Sequence, residues 1–358
     1  MTLLGQRLIS RIEATGPISL ADYMTECLLD PRHGYYTTGQ PIGRSGDFTT
    51  APEVSQMFGE LTGLCLAQAW IDQGRPQPFT LAELGPGRGT LMADILRATS
   101  GVEGFHKAMS LTLVEASPSL GKLQQQTLHP AATEWIPDVS GLSEAPLFLV
   151  ANEFFDALPI RQFLRTDAGW RERMVGVADG ALTLGLGPET AFAALAHLLD
   201  DTAPGQIVEF SGAAAAIAGE LGRLIGTHGG LALIIDYGGT RSIGDTLQAV
   251  RNHAYDDIFA HPGEADLSAH VDFGRLAEGA APAAASGPVS QRDFLGAMGI
   301  GARAEALAAR LSGAALDAHI AGFERLTSPE EMGTLFRVLA LHPLDAAPQG
   351  FPSAGRST

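Results

Sequence analysis

The sequence has few cysteines, few basic residues and no long hydrophobic run. Only Cys27 and Cys65 are cysteines among 358 residues, and neither belongs to a CxxC pair. We therefore expect neither a disulfide framework nor a metal site, and a reducing compartment fits this composition. No window approaches the roughly 20 apolar residues of a membrane-spanning helix, so no membrane span is predicted.

The balance of charge is acidic. Lys and Arg total 23 against 40 Asp and Glu, which gives a formal net charge of −17. Such a surface repels phosphate backbones and argues against a general nucleic-acid binder. The same charge would attract a cationic substrate, or it could serve solubility alone. Because the first 20 residues lack the apolar core of a signal peptide, we expect a bacterial cytoplasmic location.

The pattern of apolar residues predicts an α/β fold. A Rossmann-like core is predicted over residues 76–240, because short apolar strands alternate there with helices. An antiparallel meander is expected within it at 161–186. An N-terminal extension of helices and a long loop occupies 1–75, with helices split by Gly16-Pro17 and Ser19 as an N-cap. An insertion followed by helices is expected at 241–342, with a loop at 280–287 and a disordered tail at 343–358.

The strongest motif is a glycine-rich turn between the strand at 79–84 and the next helix. It contains Gly85, Pro86, Gly87 and Gly89, and the acid Glu83 stands two residues before it. Glycines let a backbone approach a ligand closely, and a helix N-terminus offers free N–H donors. The dinucleotide fingerprint GxGxxG would need its third glycine where this chain has Thr90. The tighter GxGxG turn is typical of S-adenosylmethionine-dependent methyltransferases, so that cofactor is predicted.

Two further acids follow predicted strands of the core. Glu115 lies 30 residues after Gly85, whereas the dinucleotide pattern places its ribose-binding acid about 20 residues on. We expect Glu115 to accept hydrogen bonds from the ribose hydroxyls of the cofactor. Asp138 is a candidate for the adenine amino group, although an Asx turn beside Pro137 explains it equally well.

Asn152 and Glu153 directly follow the apolar strand at 147–151. The carboxyl ends of parallel strands face the ligand crevice, so both residues are candidate catalytic residues and Asn152 is also a candidate cofactor ligand. Carboxylates accept the fork of a guanidinium in a bidentate way, which fits an arginine substrate. Glu153 and Asp156 could together hold such a cationic substrate, but Asn152 and Asp156 could also cap a helix, and for Asp156 the cap is the preferred interpretation.

The chain resembles the MidA-like methyltransferases over about residues 15–340. The resemblance rests on five segments: 33–36 with 46–53, 83–89, 152–159, 236–238, and 244–247 with 265–273. The mitochondrial members of this family are protein-arginine methyltransferases that assist assembly of respiratory complex I. The resemblance implies that Asp47, Phe48 and Thr49 cover the cofactor and that the 266–272 segment lies near the substrate.

The resemblance also implies a protein substrate that carries an arginine, with a complex I subunit as the natural candidate. The cofactor already carries a reactive methyl group, so the protein must align the acceptor nitrogen and take its proton. Glu153 suits that role, and Asp266 is the second candidate. The sequence does not set the oligomeric state, and it permits a homodimer.

Three other functions stay open at this stage. A small-molecule methyltransferase could use the same fold. The protein could also be an assembly factor that binds the cofactor without turnover, although the intact Glu83, glycines, Glu115 and Asn152 argue against a decayed site. An NAD-dependent oxidoreductase is disfavoured by both spacings.

Overall fold

The computed structural model describes residues 1–38 and 50–352. The α-helices are α1 (Leu3–Thr15), α2 (Leu20–Leu29), α3 (Tyr35–Thr38), α4 (Ala51–Val54), α5 (Gln56–Asp72), α6 (Thr90–Thr99), α7 (Phe105–Ala108), α8 (Pro118–Leu128), α9 (Gly212–His228), α10 (Phe273–Gly279), α11 (Gln291–Ala297), α12 (Ile300–Ala308), α13 (Ala314–Thr327) and α14 (Met332–Leu335). Two 3-10 turns lie at Val139–Gly141 and Ala193–Leu198.

The strands are β1 (Ile18–Ser19), β2 (Phe79–Leu84), β3 (Met109–Val114), β4 (Thr133–Ile136), β5 (Leu147–Asn152), β6 (Arg161–Arg165), β7 (Trp170–Ala178), β8 (Ala181–Thr190), β9 (Ile207–Phe210), β10 (Gly230–Gly239), β11 (Gln248–Arg251), β12 (Ala254–Asp256), β13 (Asp266–Ser268), β14 (Val271–Asp272), β15 (Ala284–Ser290) and β16 (Phe336–His342).

A central sheet carries the fold. Its strand order is β15-β16-β10-β5-β2-β3-β4, and β14 pairs with the end of β10. The strands from β4 to β10 are parallel, while β16 and β15 run antiparallel at the other edge. From β2 the chain adds β3 and β4 on one side and then β5 and β10 on the other, so the strand order switches between β2 and β5. Open α/β sheets bind ligands at such a switch point. This arrangement is the predicted Rossmann-like α/β fold.

Burial on both faces explains why the central strands read as continuous apolar runs. Every residue of β2 and β5 is buried. One face packs against α5, α6 and the C-terminal helices through a core that includes Trp70, Phe105 and Phe294. The other face packs against α9 and α10 through Leu221 and Phe273. A sheet covered on both sides keeps water away from everything except the strand ends.

The N-terminal helices join the predicted antiparallel meander. Ser19 caps α2 in a capping box with Asp22, so the predicted N-cap is confirmed. β1 pairs with β7, and β6, β7 and β8 form the meander expected at 161–186. Within the predicted insertion, β11, β12 and β13 form a separate three-stranded sheet with the order β12-β11-β13.

Three expectations for the C-terminal part were wrong. The segment predicted as a loop at 280–287 contributes to β15, and the stretch predicted as helical ends in β16. Both strands extend the central sheet, so 241–342 is not a separate insertion. The tail was expected to be disordered from residue 343, but Phe351 packs on Phe294 and the carbonyl of Gln349 contacts Cys65.

Candidate functional site

The glycine turn lies directly after β2, at the switch point of the sheet. Gly85, Gly87 and Gly89 have φ angles of +59°, +52° and +80°, a left-handed conformation that side chains rarely adopt. A Cβ on Gly85 would also lie 2.8 Å from a ring carbon of Phe154. The turn therefore needs glycine. Helix α6 begins directly after it.

Glu83 lies in β2, just before this turn. Its side chain is buried, and among the described residues its Oε2 has no hydrogen-bond partner. Burial raises the pKa of this carboxyl to about 8. Burying a carboxylate oxygen without a donor costs free energy. A bound cation would remove that cost, so the position of Glu83 suits a cation-binding site.

Glu115 follows β3, and both of its carboxylate oxygens are held. Oε1 accepts from the backbone N–H of Ser117 at 2.7 Å, and Oε2 accepts from the side-chain amide of Gln124 at 2.9 Å. Burial raises the pKa of Glu115, while these donors oppose that shift. The carboxylate is therefore fixed in position at the end of its strand.

Gln124 was missed by sequence reasoning. Its side chain is fully buried on α8, and its amide nitrogen also donates to the carbonyl of Gly87 at 2.9 Å. Its amide oxygen accepts from the indole of Trp135 at 2.9 Å. One side chain thus joins the glycine turn, the acid after β3 and strand β4. A glutamine in an amphipathic helix carries no signal that would have identified it.

Asp138 is exposed after β4 and accepts from the backbone N–H and the hydroxyl of Ser140. These bonds lower the pKa of its carboxyl. The Asx turn considered for Asp138 is therefore present, and its contact with adenine stays a prediction. Asp47, Phe48 and Thr49 lie outside the described residues.

Asn152 ends β5, and Glu153 follows it with a φ of +51°, which is unusual for a residue with a side chain. The Asn152 amide donates to Glu153 Oε1 at 3.1 Å, and the backbone N–H of Ala51 donates to the same oxygen at 3.3 Å. Burial, followed by repulsion from Asp156, raises the pKa of Glu153 to about 7. Asn152 Oδ1 is buried and has no partner among the described residues.

Asp156 does not cap a helix, which corrects the sequence-based interpretation. The residues around it form a turn, with no helix directly after β5. The backbone N–H groups of Phe155 and Asp156 both donate to Asp236 Oδ2, at 3.0 and 3.2 Å. Asp236 in β10 therefore holds the turn, and Asp156 lies buried beside Glu153.

Asp266 lies in β13 and is buried. The hydroxyl of Tyr36 donates to its Oδ1 at 2.9 Å, which links the N-terminal segment to the 266–272 segment. The backbone N–H of Ala269 donates to the carbonyl of Asp156 at 3.0 Å. The fold thus brings Asp266 to the neighbourhood of Asp156. Asp272 caps α10 through the N–H of Arg275.

The glycine turn, Glu53, Glu83, Asn152 and Glu153 line a cavity of about 50 Å³, together with Arg88. The other candidate residues, Glu115, Asp138, Asp156 and Asp266, are not among the residues that line it. A larger groove of about 800 Å³ lies at the other end of the strands, where β3 and β4 begin. The volume of a cavity therefore does not identify the candidate site. No cluster suited to a metal ion occurs among the described residues. In that same part of the chain, no helix is long and apolar enough to cross a membrane.

The residues present fit S-adenosylmethionine. The unpartnered Glu83 carboxylate suits the cofactor's ammonium, and the N-terminus of α6 suits its carboxylate. The expected contact of Glu115 with the ribose hydroxyls stays a prediction. The strand order and this site define the chain as a methyltransferase with a Rossmann-like fold that uses S-adenosylmethionine.

A family model described as "Putative S-adenosyl-L-methionine-dependent methyltransferase" matches residues 61–289. The chain belongs to this family. It is 37% identical over 365 residues to "Protein arginine methyltransferase NDUFAF7, mitochondrial" of Xenopus tropicalis, covering 94% of this chain and 85% of that protein. The protein of the same name from Homo sapiens is 35% identical, with coverage of 96% and 84%.

A solved structure supports the cofactor assignment. A Burkholderia thailandensis protein bound to S-adenosyl-homocysteine matches with a TM-score of 0.84 and 30% identity, covering 99% of this chain and 95% of that one. A native structure from the same organism matches with a TM-score of 0.80. The predicted family, fold and cofactor are thereby confirmed.

Proposed function

We propose that this protein is a protein-arginine N-methyltransferase. The observation that carries the proposal is the Asn152–Glu153 pair at the end of β5, beside the glycine turn, where a partly buried carboxylate has a pKa of about 7. The names of the curated relatives, which are protein arginine methyltransferases, support the same substrate class.

When bound, S-adenosylmethionine supplies a methyl group activated by a sulfonium. The site residues would do the remaining work. Glu83, the glycine turn and Glu115 would orient the cofactor, and Asn152 would orient the acceptor nitrogen. A guanidinium with a pKa of about 12.5 or more must lose a proton as its nitrogen takes the methyl group. Glu153 would accept that proton, because a group with a pKa near 7 can hold it and release it at neutral pH. Asp266 is the second candidate for this role.

The resemblance to MidA-like proteins extends the proposal to the partner. The methyl acceptor that this family implies is a subunit of respiratory complex I. We also propose the bacterial cytoplasmic location that the sequence predicts. The relatives named above are mitochondrial by name. Light scattering of the purified protein would test the homodimer that the sequence permits.

The test is a labelling experiment. Lysate from a strain deleted for this gene is incubated with the purified protein and radiolabelled S-adenosylmethionine, and labelled proteins are hydrolysed to amino acids. We expect labelled methylarginine. Label only in small molecules would favour a small-molecule methyltransferase. No label at all, with cofactor binding intact, would favour an assembly factor without turnover.

A further inference from the structure

A short helix, α4, lies against the proposed site without being part of the sheet. Ser55 separates it from α5, because the backbone of Ser55 is extended (φ −158°, ψ 137°) and its side chain caps α5 through the N–H of Met57. Thr50, Pro52 and Glu53 line the cavity beside the glycine turn. The position of α4 therefore sets one wall of that cavity.

Helix α4 is attached to the start of α6. The hydroxyl of Thr90 donates to Glu53 Oε1 at 2.6 Å. Thr90 is the first residue of α6 and directly follows Gly89 of the glycine turn. A short hydrogen bond to a carboxylate is among the stronger side-chain contacts, so Glu53 and Thr90 tie α4 to the glycine turn.

Close packing limits the position of α4 from two other sides. A Cβ on Gly59 of α5 would lie 2.6 Å from the Cβ of Asp94, so α5 packs directly on α6. A Cβ on Gly322 of α13 would lie 3.3 Å from the carbonyl oxygen of Val54, so α13 lies close against the end of α4. Because packed interiors leave little free space, α5 and α13 restrict how far α4 can move.

Helix α4 also supplies a hydrogen bond to Glu153. The backbone N–H of Ala51, which is fully buried, donates to Glu153 Oε1 at 3.3 Å. Burial raises the pKa of Glu153, while this donor favours the ionised carboxylate and lowers the pKa. A backbone N–H has no side-chain freedom, so its direction depends on where α4 lies.

Charged groups on several other elements also act on Glu153. Repulsion from Asp156 raises the pKa of Glu153, and the charge of Arg325 on α13 lowers it. Asp236 of β10 is repelled by Glu153 in turn. The other charged residues that line the cavity are Glu53, Glu83 and Arg88. A substitution of the uncharged Thr90 leaves all of these charges in place, so it tests the position of α4 alone.

We propose that Glu53 and Thr90 form a positioning pair for Glu153: their hydrogen bond fixes α4 so that the N–H of Ala51 reaches the Glu153 carboxylate. The start of α6, proposed to hold the cofactor, is thereby kept in a fixed relation to the proposed proton acceptor. This inference rests on the proposed function for the role of Glu153. It gives Glu53 and Thr90 no contact with the substrate arginine, because they act through Ala51.

The test compares Thr90→Val with Thr90→Ser and with a matched control, Thr99→Val. Valine keeps the shape of threonine without the hydroxyl, whereas serine keeps the hydroxyl. Thr99 lies on the same helix, and its hydroxyl bonds within α6 and to His106. The full-length protein is labelled with ¹³C at the side-chain carboxyl carbons of glutamate, and NMR follows the titration of Glu153. Its resonance is the one that is missing from Glu153→Gln.

We expect Thr90→Val to raise the pKa of Glu153 by about 0.5–1 pH unit, the scale of a lost hydrogen bond to a charged acceptor. Thr90→Ser and Thr99→Val should titrate as the wild type does. The labelling rate of Thr90→Val, measured with saturating S-adenosylmethionine, should rise at a pH that is higher by the same amount. Ala51→Pro removes the N–H itself, at a first helical position that accepts proline. Adding Thr90→Val to Ala51→Pro should cause no further change, since both act on one contact.

The outcomes separate the two proposals. An unchanged pKa of Glu153 in Thr90→Val would overturn the positioning pair, and so would a further rise when Thr90→Val is added to Ala51→Pro. Methylarginine formed in lysate by the wild type would leave the proposed function standing in either case. If the expected pKa changes occur and the wild type forms no methylarginine, the positioning pair stands and the proposed function falls.

Thermal unfolding checks that each variant is folded. Should Thr90→Val not fold, Thr90→Ala takes its place, because alanine also lacks the hydroxyl and favours helices. An unchanged pKa of Glu153 in that variant would overturn the positioning pair in the same way.

Discussion

The side-chain amide of Gln124 lies 2.9 Å from the carboxylate of Glu115 and donates a hydrogen bond to it. The same amide nitrogen lies 2.9 Å from the carbonyl of Gly87. A buried residue of α8 therefore ties together two parts of the proposed cofactor site that are 28 residues apart in sequence (115 − 87). Because neither part is free to move alone, their relative position depends on Gln124.

Gln124→Leu should weaken binding of S-adenosylmethionine. The leucine fills similar volume but cannot hold Glu115 or Gly87, so we expect a loss of about 1–2 kcal/mol in binding, the scale of one or two hydrogen bonds. Calorimetric titration measures this loss. Gln126→Leu is the control, since Gln126 is exposed on the same helix. Equal affinities for the two variants would show that Gln124 does not position the site.

Gly87→Val should abolish cofactor binding and leave the fold largely intact. Gly87 has a φ of +52°, where a β-branched side chain is strained, and it lines the cavity proposed for the cofactor, which a valine side chain would narrow. Circular dichroism and titration with S-adenosylmethionine check the two halves of the prediction. Gly101→Val is the matched control, because no atom lies within 4 Å of a Cβ built there. A folded Gly87→Val protein that binds normally would make the turn purely structural.

Glu83→Gln should have opposite effects on stability and on binding. The folded carboxyl has a pKa of about 8 against an ordinary value of 4.5. Between these values the folded state holds a proton that the unfolded state has lost, so this group's contribution to stability falls as pH rises from 4.5 to 8.

At pH 9 we therefore expect Glu83→Gln to unfold at a higher denaturant concentration than the wild type when no cofactor is bound. The variant should nevertheless bind S-adenosylmethionine more weakly by about 1.5–3 kcal/mol, the scale for a hydrogen bond to a charged group. Glu103→Gln, at an exposed position, should change neither property. Unaltered cofactor affinity in Glu83→Gln would remove this acid from the cofactor site.

Glu153→Gln should keep its affinity for the cofactor and lose most methyl transfer. The pKa of Glu153 is about 7, and only the ionised form can accept a proton. The wild-type labelling rate should therefore rise as pH increases through about 7 and level off above it. The glutamine variant should be slow at every pH. A variant with the wild-type rate and pH profile would transfer the proposed role to Asp266.

The local signals in the sequence were sufficient for β2, the glycine turn and the start of α6. They were sufficient because a fully buried strand, three glycines and a helix start all act within about ten residues of chain. The same signals failed for β15 and β16. In the sequence, β16 is a short, mostly apolar run that fits a buried helix as well as a strand. Its pairing with β10 on one side and β15 on the other makes it a strand.

The sequence by itself determined the class of site, because the spacing of Glu83, the glycines and Glu115 reflects backbone conformations and strand ends that are set locally. Only the tertiary structure decided which side chains complete that site. Gln124 has no local mark, since a glutamine on a helix is ordinary. Asp156 does follow an apolar strand, but the helix that it was expected to cap is absent. The packing of β3, β5, β10 and α8 lets Gln124 reach Gly87 and lets Asp236 hold the turn of Asp156. Such contacts join residues 37 and 80 positions apart, and pattern within one segment cannot encode them.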